Sequence, residues 1–287
     1  MALFWQVLAN GVLLGGLYAL MSLGLALVWG VLNIVNLAHG AFIMLGAYAA
    51  YFLFAGFGID PILALPVAMV ALYILGYAVQ RGILEFVIRG PMFNTLLITF
   101  GLEVVLTYLA QIGFSADFRT INPAYAGANF EWLGVTVPLV RVLASGIALG
   151  LTLAVWLMLG HTRTGRAIRA AAQNLVAARL YGVEPRRLYA FTYGLGAALA
   201  GAAGDLYGMV SQINPYIGAT LTAKSFVIAV IGGLDSALGV IAGGILLGVA
   251  ESLAALYIGP TYTDVVSLGI LVLVLIVRPT GLLGRTT

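Results

Sequence analysis

The chain has 287 residues, of which 62% are hydrophobic and 8% are charged, and its mean hydropathy is +1.09. A water-soluble domain cannot cover such a composition with polar surface, so the composition predicts an integral membrane protein. The absence of cysteine excludes disulfide scaffolds and thiolate metal sites. The two histidines are too few and too far apart to indicate a metal site.

Apolar runs predict an all-α polytopic membrane protein with eight or nine transmembrane helices, some broken or re-entrant. The first run lacks a basic n-region and a small-residue cleavage site, so we expect a permanent span rather than a signal peptide. The run at 224–257 is too long for one straight crossing, and Gly232-Gly233 and Asp235-Ser236 interrupt it, which predicts two short helices or a re-entrant pair. The predicted spans are 8–30, 39–56, 61–80, 93–112, 138–159, 188–209, 224–257 and 264–278.

Three polar residues, Asn33, Asn36 and His39, interrupt the apolar sequence between the first two spans. With Gly30 and Gly40 beside them, they predict a broken helix whose freed backbone groups are satisfied by side chains. Two interpretations stay open. The residues could cap a tight cytoplasmic turn, or they could line or gate a pathway.

Four charged residues, Glu103, Asp205, Lys224 and Glu251, fall within or beside predicted spans. A charge in the bilayer centre costs about 2.5–3.5 kcal/mol, so such groups face the protein interior, water or a partner. One interpretation is structural ion pairing, with Asp205 and Lys224 paired across the short outer loop 210–222, or a position of these groups near a water-filled vestibule. The other is a proton relay, which would make the protein an ion-coupled secondary carrier.

Small residues recur every four positions on several predicted helices, a spacing that lets helix backbones approach closely in lipid. We expect this packing inside one subunit, with a seam between subunits as the alternative. The residues are Gly11 and Gly15, Gly196, Ala200, Gly204 and Gly208, and Gly244 and Gly248.

Half of the twelve arginines lie within 163–187. Short loops rich in arginine stay in the cytoplasm, so the N-terminus and the 113–137 loop are predicted to lie outside. Arg278 and Arg285 then place the C-terminus inside, which favours nine crossings. A short amphipathic helix is predicted from Gly165 to Gly182, and it could be a topology signal, a surface-lying membrane helix or a docking helix.

The same stretch resembles a motif of ABC importers. Permeases of these systems carry a cytoplasmic Glu-Ala-Ala-x-x-x-Gly loop that docks on the ATPase, and this chain has Val176-Ala177-Ala178 followed by Gly182. Valine stands where that motif has glutamate. Longer stretches extend the resemblance over the whole chain: GLYALMSLGLALVWGVLNIVNLAHGAFIMLGAY, INPYIG, VIGGLDSALGVIAGGILLGVAESL and VRPTGLLGR look like the branched-chain amino-acid ABC permease family of the LivH type.

The resemblance implies one permease domain over 1–287 with an ATPase-docking helix at about 165–182. It also implies a second related permease, two cytoplasmic ATPases, an external substrate-binding protein and a bacterial inner-membrane location, with no nucleic acid. No cofactor is expected in this chain, since ATP and Mg²⁺ would bind the ATPases. The chain has no complete phosphate-binding loop; its nearest approach, 218–225, has Ala223 where the second glycine should be.

The substrate class stays open between branched-chain amino acids and urea, short amides or aromatic acids. The resemblance and the residue patterns together give candidate residues for three roles. The docking candidates are Arg166, Arg169, Ala177, Ala178, Arg179 and Gly182. The pathway or gate candidates are Asn33, Asn36, His39, Glu103, Asp205 and Glu251. The candidates for contact with the binding protein are Asn214, Pro215 and Tyr216, for which simple turn formation is the alternative.

Overall fold

The computed structural model describes residues 2–88, 90–132, 135–234 and 236–284, so Asp235 and Arg285 lie outside the described residues. In chain order the elements are α1 (Ala2–Leu32), α2 (His39–Phe57), α3 (Pro61–Val79), a π-helical turn (Gln80–Leu84), α4 (Glu85–Val87), α5 (Met92–Phe114), β1 (Asn129–Trp132), β2 (Val135–Pro138), α6 (Leu139–His161), α7 (Arg163–Gln173), α8 (Leu175–Leu180), α9 (Pro185–Val210), α10 (Ile217–Gly232), α11 (Ala237–Tyr257), a 3₁₀ turn (Pro260–Tyr262) and α12 (Thr263–Val277).

Within the described residues, seven helical segments are long and apolar enough to cross a membrane. They correspond to α1, α2, α3 through α4, α5, α6, α11 and the segment ending with α12. Helix α9 has 26 residues but falls outside this group, and α10 has only 16. The all-α membrane fold is confirmed, whereas the number of crossings stays a prediction.

The predicted interruption of the 224–257 run is confirmed. Helix α10 ends at Gly232 and α11 begins at Ala237. Gly233 follows α10 with a φ of +99°, in a region that side chains with a Cβ rarely adopt, and the chain reverses there. Ser236 caps α11 by accepting a hydrogen bond from the Gly239 amide at 3.0 Å.

Glycine faces bring α1, α9 and α11 close together at the centre of the bundle. Gly11 of α1 lies against Gly248 of α11, and a Cβ on Gly15 would lie 2.8 Å from the Gly244 carbonyl oxygen. Gly196 of α9 likewise faces the carbonyl of Gly24 on α1. The four-residue spacing therefore serves packing inside the subunit, as expected.

A small antiparallel hairpin of β1 and β2 lies between α5 and α6, a segment for which the sequence indicated only an external loop. Its strand β2 is tied to the start of α1, because the Gln6 side-chain amide donates to the Thr136 carbonyl at 2.9 Å.

The arginines divide unequally between the two ends of the bundle. Glu85 of α4 lies 2.8 Å from Arg186 at the start of α9, and both line a cavity with Leu32 at the end of α1. A Cβ on Gly30 of α1 would lie 3.9 Å from the Leu234 carbonyl oxygen just after α10, and the C-terminal segment hydrogen-bonds to the end of α10, so these termini share one end. We call it the basic end. Of the described arginines, the basic end carries Arg81, Arg163, Arg166, Arg169, Arg179, Arg186, Arg187 and Arg278, and the opposite end carries Arg119 and Arg141. This asymmetry predicts that the basic end faces the cytoplasm.

Candidate docking surface and mid-depth junction

The arginine-rich stretch folds as two short helices, not as the single helix predicted for 165–182. Thr162 caps α7 by accepting from the Gly165 amide at 3.0 Å. Asn174 then breaks the helix and caps α8, accepting from the Ala177 amide at 3.0 Å. Asparagine favours a helix break followed by a new cap, because its side chain competes with the helix backbone for hydrogen bonds.

The predicted stop at Gly182 is confirmed. Its φ is +85°, and the Val183 amide reaches back to the Ala178 carbonyl at 3.1 Å, which is the hydrogen bond of a Schellman cap. A side chain at Gly182 would meet no atom within 4 Å, so its backbone conformation, rather than crowding, accounts for the glycine.

The predicted docking residues divide into two groups. Arg166 and Arg169 are exposed, but they donate to the carbonyls of His161 and Gly160 at 3.4 and 3.1 Å, so both stabilise the end of α6. Ala178 is buried and Ala177 is half-buried, which leaves them the role of packing α8 onto the bundle. Arg179 is exposed.

Sequence reasoning missed the most prominent feature of this surface. Val176, Leu180 and Tyr181 are 70%, 84% and 91% exposed. Val176 and Leu180 are four residues apart and therefore share one face of α8. We call these three residues the α8 patch. The available signal was Val176 itself, an apolar residue at the position where the docking motif has a charge.

The first predicted break is found deep inside the molecule rather than at a surface turn. Helix α1 ends at Leu32, Asn33 has a φ of +52°, and non-helical chain leads to α2. At the start of α2 the His39 Nε2 lies 2.8 Å from the Met21 carbonyl oxygen. Since α1 continues about ten residues past this point, roughly 15 Å of helix separates it from the basic end.

A second helix begins at the same depth. A Cβ on Gly40 of α2 would overlap the carbonyl oxygen of Gly218, in the first turn of α10. Further along α10, the Ser225 carbonyl accepts from Ser22 of α1 at 2.7 Å. We call the meeting point of the α2 and α10 N-termini the mid-depth junction.

Threonine side chains satisfy the backbone at this junction. Thr222 accepts from the Gly40 amide at 2.8 Å and donates to the Leu37 carbonyl at 3.1 Å. Thr99 of α5 accepts from the Leu37 amide at 3.2 Å and donates to the Val35 carbonyl at 2.9 Å. The expectation that side chains satisfy the freed backbone groups is confirmed, and the condition for irregular chain at membrane depth is met.

The two breaks share a sequence pattern. Asn36 precedes Gly40-Ala41 by four residues, and Asn214 precedes Gly218-Ala219 by the same interval. Helices α1 and α9 run in opposite directions, so the two breaks form an inverted arrangement that places both helix N-termini at the centre. The Asn-x-x-x-Gly-Ala pattern is the sequence signal of this arrangement.

The pathway and contact candidates occupy different places. Asn36 is buried at the junction, where Tyr193 donates to its side-chain oxygen at 3.1 Å, and Asn33 is exposed near the end of α1. Asn214 accepts from the Tyr216 amide at 2.8 Å, so it forms the turn before α10. Pro215 is buried and Tyr216 is exposed.

The expected pair of Asp205 and Lys224 is wrong. Lys224 lies 3.0 Å from both carboxylate oxygens of Glu251, and Asp264 lies 3.3 Å from its amine. Tyr18 and Ser267 each donate to Glu251 at 2.6 Å. Helix α10 turns Lys224 towards α11 and α12, because these helices, rather than α9, pack beside it.

Asp205 is fully buried, and its carboxylate oxygens have no hydrogen-bond partner among the described residues. Glu103 is half-buried on α5, with Thr107 donating to it at 3.4 Å. Among the described residues, no hydrogen bond or ion pair links Glu103, Asp205 and Glu251 to one another. A cavity of about 220 Å³ opens near Tyr18, with Arg141 and Asn10 on its lining.

Comparison with known proteins identifies the family. The sequence pattern of the family described as "Branched-chain amino acid transport system / permease component" matches residues 7–275. The chain belongs to this permease family. It is 34% identical to the high-affinity branched-chain amino acid transport system permease protein BraD of Pseudomonas aeruginosa, over 98% of this chain and 96% of BraD.

Two further relatives extend the comparison. The permease LivH of Salmonella typhimurium is 34% identical over 98% of this chain and 96% of its own length. The permease LivM of Escherichia coli is 29% identical over 94% of this chain and 68% of LivM. No solved structure matches the chain. The LivH-type resemblance is thus confirmed, and the chain is a multi-pass permease component of a transport system.

Proposed function

We propose that this chain is the membrane-spanning permease subunit of an ATP-driven importer for branched-chain amino acids in the bacterial inner membrane. Its partners are a second related permease, two cytoplasmic ATPases and an external substrate-binding protein. ATP and Mg²⁺ bind the ATPases, and this chain needs no cofactor of its own. The relatives named above, all branched-chain amino acid permeases, support the substrate class.

The α8 patch is the observation that carries the proposal. Exposed apolar side chains at the end of a membrane bundle mark a protein–protein contact, here flanked by exposed arginines. A helix that lays its apolar face into a groove on a partner is a recurring recognition mode. Because the patch lies at the basic end, a cytoplasmic partner is the one that can reach it.

Energy must come from that partner. The stretch 218–225, the nearest approach to a phosphate-binding loop, forms the first turns of α10 and packs at the mid-depth junction. A phosphate-binding loop requires exposed backbone amides wrapped around phosphate, which a packed helix in the membrane does not offer. This supports assigning ATP hydrolysis to separate subunits.

Coupling then follows from differential contact. The ATPases change shape when they bind and hydrolyse ATP, and α8 moves with them because its patch stays bound. To drive the permeases between outward- and inward-facing states, the patch must bind the ATPase with different free energies in the two states. Substrate released by the external binding protein passes between the two permeases.

Reconstitution in vesicles tests this function. We expect uptake of leucine only when the second permease, the ATPases, the binding protein and ATP are all present. Competition by urea, a short amide or an aromatic acid, but not by isoleucine or valine, would transfer the protein to another substrate class. Uptake driven by a proton gradient without ATP would replace the proposal with an ion-coupled carrier.

A further inference from the structure

The cavity at the basic end has a volume of about 260 Å³. Its walls come from the end of α1, the segment from the π-helical turn through α4, helix α8 and the start of α9. We call it the basic-end cavity. Binding sites for drug-sized ligands measure about 300–1,000 Å³. The basic-end cavity is therefore of a size for a smaller metabolite.

The π-helical turn places two polar side chains on the wall of this cavity. The Glu85 amide donates to the Gln80 carbonyl five residues earlier. Residues five apart on an α-helix point to different faces, whereas the wider π-helical turn brings both side chains to the same cavity. Such turns within α-helices are frequent at functional sites.

Gln80 has an unsatisfied acceptor in this position. The residue is 2% exposed, and its side-chain oxygen has no hydrogen-bond partner among the described residues. Leaving a buried amide oxygen without a donor is destabilising. An occupant of the basic-end cavity that offers an N–H donor would remove this cost.

The charged groups around the basic-end cavity have both signs. Glu85 carries a negative charge and lies 3.0 Å from Arg81 and 2.8 Å from Arg186. Arg179 of α8 also lines the cavity, and its guanidinium forms no ion pair among the described residues. These groups favour an occupant that has an acidic group for Arg179 and a positively charged donor for Gln80 and Glu85.

The rest of the wall is mainly apolar, with Leu32, Ile88 and Leu175 on it. The phosphate of an anionic lipid headgroup matches Arg179 but brings a second negative charge towards Glu85. An apolar α-amino acid combines a carboxylate, an ammonium group and a hydrocarbon side chain in one small molecule. We propose that the basic-end cavity binds a free branched-chain amino acid, the product of import, from the cytoplasm.

Binding in this cavity acts on transport through α8. Leu175 and Arg179 are four residues apart and share one face of α8, and the α8 patch occupies the neighbouring face. An amino acid held between α8 and Glu85 ties α8 to the bundle and opposes the movement that import requires. Import therefore slows as its product accumulates, because a ligand favours the state that it binds more tightly. The inference rests on the proposed function, which supplies the substrate class and the role of α8.

Proteoliposomes with ATP inside and the binding protein outside test the inference. The initial rate of labelled leucine uptake is measured at rising concentrations of unlabelled leucine inside, relative to the rate of the same variant without it. We expect internal leucine to reduce the wild-type rate several-fold. Gln80→Leu should raise the concentration that halves uptake about tenfold, because the ammonium group loses a hydrogen bond. Gln173→Leu, at an exposed residue at the end of α7, is the matched control and should be inhibited like the wild type.

Two analogues test the chemistry of the ligand on the unaltered protein. 4-Methylpentanoate lacks the ammonium group of leucine, and leucinamide lacks its carboxylate. Neither should inhibit from inside at concentrations at which leucine does. Binding of labelled leucine to the assembled transporter without the binding protein gives a readout that does not require uptake. Gln80→Leu should weaken this binding about tenfold and Gln173→Leu should leave it unchanged.

Uptake that is insensitive to internal leucine would overturn the inference, as would equal inhibition by leucine and 4-methylpentanoate or equal inhibition of the two glutamine variants. Uptake that depends on the anionic lipid content but not on internal leucine would assign the basic-end cavity to a lipid headgroup and also overturn it. The rate without internal leucine tests the proposed function separately. Its absence sinks the proposed function, whereas normal uptake without inhibition sinks only the inference.

Discussion

The ion pair of Lys224 and Glu251 gives a quantitative test of the packing of α10. The Glu251 side chain is 5% exposed and the Lys224 side chain 17%. Replacing Lys224 with methionine leaves a buried carboxylate held by two hydroxyl groups. Breaking a buried pair in this way costs about 3–5 kcal/mol. The partial exposure of Lys224 places the expected loss of unfolding free energy at the lower end, about 3 kcal/mol.

Thermal unfolding of the purified assembly measures this loss. At about 2–4 °C per kcal/mol for a chain of this size, Lys224→Met should lower the unfolding temperature by roughly 6–12 °C. The double variant with Glu251→Gln removes both charges and should recover most of that loss. Asp264→Asn is the control, since the Asp264 side chain is 66% exposed and a solvent-exposed pair contributes about 0–1 kcal/mol.

An unchanged unfolding temperature in Lys224→Met would refute this reasoning. A double variant that loses more unfolding free energy than Lys224→Met and Glu251→Gln lose together would also refute it, because the two charges would then not stabilise each other.

Three further predictions concern the docking surface and the junction. Leu180→Ser should abolish ATPase co-purification, because it removes an apolar side chain from the α8 patch. Phe57→Ser, at a similarly exposed residue at the end of α2, should retain co-purification. Equal ATPase binding by the two variants would remove the docking assignment. Gly182→Leu should lower the free energy of unfolding by about 1–2 kcal/mol, because leucine disfavours the left-handed conformation, and should reduce ATP-driven uptake, whereas Gly182→Asn should be tolerated. Normal ATP-driven uptake by the Gly182→Leu variant would count against the cap. Gly40→Ala should destabilise the bundle by about 1–3 kcal/mol through overpacking at the mid-depth junction. The unfolding temperature is compared with that of Gly56→Ala, whose added methyl group meets nothing within 4 Å. Equal unfolding temperatures of the two variants would contradict the close approach of Gly40 to Gly218.

Local patterns sufficed for several parts of the fold. Long apolar runs predicted the helices, glycine spacing predicted close helix packing inside the subunit, and Gly232-Gly233 predicted the break after α10. Each of these is a property of a few adjacent residues, so one sequence is enough to read it. The helix stop at Gly182 belongs to the same class.

The remaining features depend on contacts between distant segments. The sequence interpretation paired Lys224 with Asp205 because the two flank one loop, yet the structure pairs Lys224 with Glu251. The partner depends on which helices pack beside α10 and not on separation along the chain. The meeting of Gly40 with Gly218 joins segments 178 residues apart in sequence. The break at Asn174 was missed because the stretch from Gly165 to Gly182 was interpreted as one helix, although an asparagine side chain competes with the helix backbone for hydrogen bonds.

Labelling of residue 180 tests the assignment most directly, because orientation and coupling both depend on it. Leu180→Cys would be the single cysteine of the chain, and a membrane-impermeant maleimide is applied to intact cells and to inverted membrane vesicles. We predict labelling only in inverted vesicles stripped of the ATPases, and protection when purified ATPases are added back. Labelling in intact cells, or labelling that bound ATPases leave unchanged, would contradict both the cytoplasmic orientation and the docking role of the α8 patch.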